Sequence, residues 1–85
     1  MRNPKRIKDF MVVLTEIWEH MPDIRFNQLI YNLQREYKDG AYIKKAYVDE
    51  IGWGTTEVSY PYLFNVEDDA FMEFLIEKLK ELDKN

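Results

Sequence analysis

The chain has no cysteine, one histidine, three glycines and three prolines among its 85 residues. Without cysteine there are no disulfide staples and no thiol nucleophile, and one histidine leaves no donor set for a zinc knuckle. Glycine-rich phosphate loops are excluded too, since neither the P-loop nor the dinucleotide-binding spacing occurs. No apolar run approaches the roughly 18–20 residues that cross a bilayer. The longest, Phe10 to Leu14, belongs to an amphipathic pattern. The basic opening, Met1 to Lys8, is not followed by the apolar stretch and small-residue cleavage site of a signal peptide. These absences describe a soluble, cytoplasmic protein that calls for no cofactor and no metal.

What remains must build a core from bulk alone. Ordering a chain of this size costs roughly 1.5 kcal/mol per residue, and a small domain buries only about 60–65% of its unfolded surface. Two separate cores do not fit, so residues 1–85 are expected to form a single domain, which a homodimer would stabilise further. Aromatic residues make up 15% of the chain. Each one buried withdraws about 150–250 Å² from water, which is how a small domain without staples closes its balance.

A net charge of −4 conceals a gradient. Residues 1–10 carry Arg2, Lys5, Arg6 and Lys8 against Asp9, a balance of +3. Residues 51–85 carry eight acids against Lys78, Lys80 and Lys84, a balance of −5. The asymmetry suits head-to-tail contact or a polar partner, and equally a solvated surface.

Three amphipathic stripes mark three helices. Asn3 is the expected N-cap of the first, with Pro4 at the first helical position, where its missing N–H is harmless. Ile7, Phe10, Met11, Leu14, Ile17, Trp18 and Met21 follow at steps of three and four, and Pro22 ends the run. Asp23 is the expected cap of a second helix, with the stripe Phe26, Leu29, Ile30, Leu33 and Tyr37 and a stop at Asp39-Gly40. The short link through Pro22-Asp23 makes these two helices immediate neighbours. In the last helix Asn65 is the expected cap, Glu67, Asp68 and Asp69 compensate the dipole, and Phe71, Phe74, Leu75, Leu79 and Leu82 form the stripe.

The middle, residues 38 to 64, is ambiguous. Ile43, Tyr47 and Ile51 share a face if 43–51 is a short helix that Gly52-Trp53-Gly54 breaks. Glu57 to Tyr60 alternates as a short strand does, but its only candidate partner lies in the same segment. The expected fold is mainly α: a compact bundle of three long helices with a long ordered middle, for which a short fourth helix and a short strand or hairpin are the options.

Three runs occur together: Arg2-Asn3-Pro4-Lys5-Arg6-Ile7, then Pro22-Asp23-Ile24-Arg25-Phe26-Asn27-Gln28-Leu29-Ile30, then Phe64-Asn65-Val66-Glu67-Asp68-Asp69. In this order they resemble a set of short bacterial and phage proteins of uncharacterised function. The resemblance covers about half the chain and departs between Asp39 and Leu63. It implies an accessory role in bacterial or phage biology and brings no catalytic residues.

Several constellations have a plain structural explanation. His20 near a helix C-terminus is favoured there by the dipole, and one imidazole without further ligands makes a poor metal site. Glu67, Asp68, Asp69 and Glu73 lack the alternating ligands and turn glycine of a calcium loop, and they suit a helix N-terminus. Nothing positions paired carboxylates for catalysis, so the chain is not expected to be an enzyme.

Three binding surfaces stay open, one of them the acidic face of the last helix as a second place for a protein partner. Trp53 between two glycines, with Tyr42, Tyr47, Tyr60 and Tyr62 around it in sequence, is either a plug in the core or an anchor for a protein partner or a second copy. Arg2, Lys5, Arg6 and Arg25 offer phosphate contacts, so the alternative is a small nucleic-acid-binding accessory protein. The acidic pI and the lack of a basic recognition helix weigh against that alternative. The leading expectation is a non-catalytic protein-binding accessory domain.

Overall fold

The computed structural model describes residues 2–50 and 54–84. The elements run α1 (Lys5–Glu19), α2 (Phe26–Glu36), a 3-10 turn (Tyr37–Gly40), β1 (Ile43–Glu50), β2 (Gly54–Pro61) and α3 (Asp68–Asp83). Three helices and an antiparallel hairpin make this a mixed α/β fold. The expectation of a bundle of three long helices is thereby corrected, because the middle of the chain forms a sheet and α2 has only 11 residues.

Helix α1 starts where capping chemistry puts it. Asn3 Oδ1 accepts the Lys5 N–H at 2.9 Å, and Pro4 takes helical angles with no N–H to satisfy. The other two expected caps are displaced. Asp23 falls inside a turn closed by the Ile24 N–H on the Met21 carbonyl (3.2 Å), so α2 begins later, after an extended Arg25. Asn65 likewise sits in a turn closed by Val66 N–H on the Leu63 carbonyl (3.0 Å), and Glu67 is the residue that precedes α3. In both cases the chain spends the capping residue on reversing direction.

Leu14, Ile17, Leu29, Leu33 and Leu75 form the buried centre, with Phe10, Val13, Trp18, Met21, Ile24, Ile30, Phe71, Phe74, Leu79 and Leu82 packed around it. All three stripes therefore meet. Their outer members do not: Ile7, Met11 and Phe26 are exposed, since three short helices have too little facing surface to cover the whole of each stripe. The α1–α2 link is pinned by Trp18, whose indole N–H donates to the Ile24 carbonyl at 2.8 Å while its ring lies 5.7 Å from that of Phe26.

Ion pairs order the helices further. At one end Arg2 meets Glu67 at 2.7 Å and Arg6 meets Asp68; at the other His20 Nε2 lies 2.7 Å from Asp83 Oδ1. Helices α1 and α3 consequently run side by side and parallel. The acids of α3 thus lie against both helix N-termini, where the dipoles favour them. They also pair with two of the four cations of the basic opening, Arg2 and Arg6. Lys78 ties α3 to the end of α2 through Glu36, at 3.1 Å.

Past α2 the backbone turns sharply. Lys38, Asp39 and Gly40 all take positive φ (48°, 53° and 85°), and only the last is a residue to which this costs nothing. The turn launches β1 away from the helices. Strands β1 and β2 pair from Ile43 opposite Pro61 to Glu50 opposite Gly54. The option of a short helix over 43–51 is therefore corrected, since 43–50 is a strand and Ile51 lies outside the described residues. The short strand expected over Glu57 to Tyr60 lies within β2. The Ile43, Tyr47 and Ile51 spacing fits a helix, but Tyr47-Val48 facing Thr56-Glu57 gives β-favouring residues a cross-strand partner that a lone helical turn lacks. The hairpin stands out from the body. The radius of gyration is 15.8 Å, against about 12 Å for a compact domain of this length.

Candidate interaction site

The hairpin has two unlike faces. Residues facing each other across an antiparallel pair share a side, and successive residues alternate. One side therefore carries Lys44, Ala46, Val48, Val58, Tyr60 and, at its outer end, Thr56; the other carries Ile43, Lys45, Tyr47, Asp49, Thr55, Glu57, Ser59 and Pro61. The second side is knit together by polar contacts, with Lys45 Nζ 3.2 Å from Glu57 and the Tyr47 hydroxyl donating to the same carboxylate at 3.4 Å. The first side carries an exposed apolar patch, Val48, Val58 and Tyr60, with Lys44 opposite Tyr60 at its base. Every residue of β2 except Pro61 is exposed, so neither face is sealed against the helical body.

The edges differ as well. Tyr62 N–H donates to the Tyr42 carbonyl at 2.8 Å, which makes 42/62 a hydrogen-bonded pair. Such pairs alternate along an antiparallel ladder. Hence Tyr42, Lys44, Ala46 and Val48 point their backbone groups at β2, while Ile43, Lys45, Tyr47 and Asp49 point theirs outward. On β2 the outward positions are Thr55, Glu57, Ser59 and Pro61. Proline is tolerated at such a site because its missing N–H would face away from the ladder, and it denies that edge a donor. On the outer edge of β1 the side chains of Lys45, Tyr47 and Asp49 are all exposed, so this edge is open.

The base of the ribbon joins the core through aromatic rings. Tyr37, buried, lies 5.3 Å from Tyr42, 5.4 Å from Phe71 and 5.5 Å from Phe74. Tyr42, half-buried, thus belongs to the structural joint. Tyr62 is exposed and carries the Lys44 ammonium 4.0 Å from its ring centre. A hollow of about 320 Å³ opens beside this joint, lined by Ala41, Tyr42, Ile43, Lys44, Tyr62, Asn65 and Val66. Tyr47 is 68% exposed and Tyr60 is exposed at the ribbon's other strand. Trp53, the expected anchor, lies outside the described residues.

Phe64 is the site residue that sequence reasoning missed. It is 85% exposed in the turn between β2 and α3, two residues from Tyr62. Its only sequence signal is negative, in that it falls between the strand alternation and the helical stripe and so belongs to neither core pattern.

The expected phosphate contacts are not gathered. Arg2 and Arg6 are engaged by Glu67 and Asp68, while Lys5 and Arg25 are exposed on different elements. Among the described residues no three histidine or acidic side chains are grouped to hold a metal ion. Also among them, no helix is long and apolar enough to cross a membrane.

Comparisons of the chain with protein-family models, with curated proteins and with solved structures gave no match.

Proposed function

We propose that this chain is a non-catalytic accessory protein that binds another protein through its projecting hairpin. The observation that carries the reading is the exposed apolar patch on one side of the ribbon, Val48, Val58 and Tyr60 beside the half-buried Ala46. A two-stranded ribbon is marginal on its own in water and gains stability when a further strand or layer covers it. Tyr60, Tyr62 and Phe64, with Tyr47 on the ribbon's other side, supply exposed aromatic rings of the kind in which protein interfaces are enriched. The resemblance of the helical runs to short bacterial and phage proteins agrees with an accessory role. The proposal places the chain in the cytoplasm, where a cysteine-free domain forgoes nothing.

Nucleic-acid binding has less support. Two of the four cations it relies on are already paired with carboxylates, and phosphate-driven binding depends on cations free to displace counterions.

The test is the double variant Val58→Glu/Tyr60→Ser, which strips the apolar patch on β2 and leaves the β1 edge intact. Proteins retained from the native host by the wild-type chain should be lost by the variant while its thermal unfolding stays within a few degrees. Retention of the same partners by both chains overturns the reading, as does a wild-type chain that retains no protein, a second copy included.

A further inference from the structure

The open edge of β1 carries its own complement. We infer that two copies of this chain pair β1 to β1 antiparallel about Tyr47, joining their hairpins into one four-stranded sheet. The inference rests on the reading of the hairpin as the interaction surface and names its partner.

Geometry restricts the registers first. The groups free to bond a neighbour belong to Ile43, Lys45, Tyr47 and Asp49, so two copies can pair only where one outward residue faces another. Among those registers, charge selects. With the two-fold axis at Tyr47, Lys45 of each copy faces Asp49 of the other. Moving the axis to Lys45 sets lysine against lysine, and moving it to Asp49 sets aspartate against aspartate. Axes at Ala46 or Val48 bring no opposite charges face to face. Opposite charges directly across a sheet stabilise and like charges destabilise. The Tyr47 register is therefore the one in which hydrogen-bonding direction and charge agree. Each facing pair, Lys45 with Asp49 and Tyr47 with Tyr47, then exchanges both of its N–H···O bonds.

The pairing is also closed. A two-fold contact uses the same edge on both copies, and the outer strands left over are the two β2 strands, each bearing Pro61 at an outward position. Edge lysines ordinarily discourage strand addition. Here Lys45 opposes indiscriminate pairing and is answered only in one register. The joined sheet also doubles the apolar patch, since Ala46 and Val48 of one copy lie opposite Val48 and Ala46 of the other.

Sedimentation of the intact chain and two charge reversals tests this. Lys45→Glu alone sets Glu against Asp49, and Asp49→Lys alone sets Lys against Lys45; each should weaken the dimer about tenfold, as two symmetric pairs turn from attractive to repulsive. An equimolar mixture of the two variants should restore dimers of wild-type strength, because glutamate then faces lysine and Asp49 faces Lys45. Mixing cannot repair a defect inside one chain, such as the loss of the Lys45–Glu57 pair, so restoration isolates the intermolecular contact. A wild-type chain that stays monomeric at millimolar concentration overturns the pairing. So does a dimer indifferent to both reversals, or one that mixing fails to restore. A monomer that still loses a host partner on Val58→Glu/Tyr60→Ser sinks the self-pairing alone and leaves the binding function standing.

Discussion

The ring of Tyr37 lies 5.3 Å from that of Tyr42, and through this contact the helical core holds the hairpin. Tyr37 is buried against Phe71 and Phe74, while Tyr42 stands one residue before β1. The orientation of the ribbon therefore depends on the last member of the second stripe, the residue directly after α2.

Tyr37→Ala removes that joint. Truncating a buried aromatic costs about 3–5 kcal/mol, a large part of the stability of a domain this small. Urea unfolding should show a loss in that range, and amide exchange along β1 should rise before that of Leu29 and Leu33. Tyr37→Phe keeps the ring contacts and should lose no more than about 1 kcal/mol.

Trp18→Phe retains an aromatic ring but withdraws the N–H that the Ile24 carbonyl accepts at 2.8 Å. A part-buried carbonyl left without its donor costs about 1–3 kcal/mol. A lower denaturation midpoint at unchanged slope is the expected result, since the loss is one of contact and leaves the compactness of the unfolded chain alone.

Asn3→Ala should cost about 1 kcal/mol, because Asn3 caps α1 through the Lys5 N–H. Asp23→Ala and Asn65→Ala, at the two positions that sequence alone would also rank as caps, should lie within about 0.5 kcal/mol of the wild type, since neither caps its helix. Thermal melts of the three variants side by side distinguish a real cap from a turn residue.

Phe64→Ser should leave stability within about 0.5 kcal/mol, because a side chain 85% exposed has little packing to lose. If the turn after β2 belongs to the interaction surface, the same change should weaken partner binding severalfold in a titration. Unaltered affinity would confine the surface to the ribbon itself.

The helices were legible where local rules suffice. Leu14, Ile17, Leu29, Leu33 and Leu75 lie on stripes at helical spacing and all are buried. The hairpin was legible only in part: the alternation of Glu57 to Tyr60 marked β2, but Ile43, Tyr47 and Ile51 also satisfy a helical period and β1 is favoured only once β2 is beside it. The exposed apolar patch followed the same logic. Val48 and Val58 come together by pairing across the turn, and no window along the chain holds them both.

The sequence by itself determined the core-facing stripes, the cap at Asn3 and the absence of thiol chemistry, because spacing, capping and composition act over a few residues. The tertiary structure decided the rest: that α1 and α3 lie parallel, that Glu67 and Asp68 pair with Arg2 and Arg6, and that the middle of the chain leaves the core as a ribbon. Those outcomes depend on residues about ten to over sixty positions apart meeting in space, and only the assembled fold sets which of them meet.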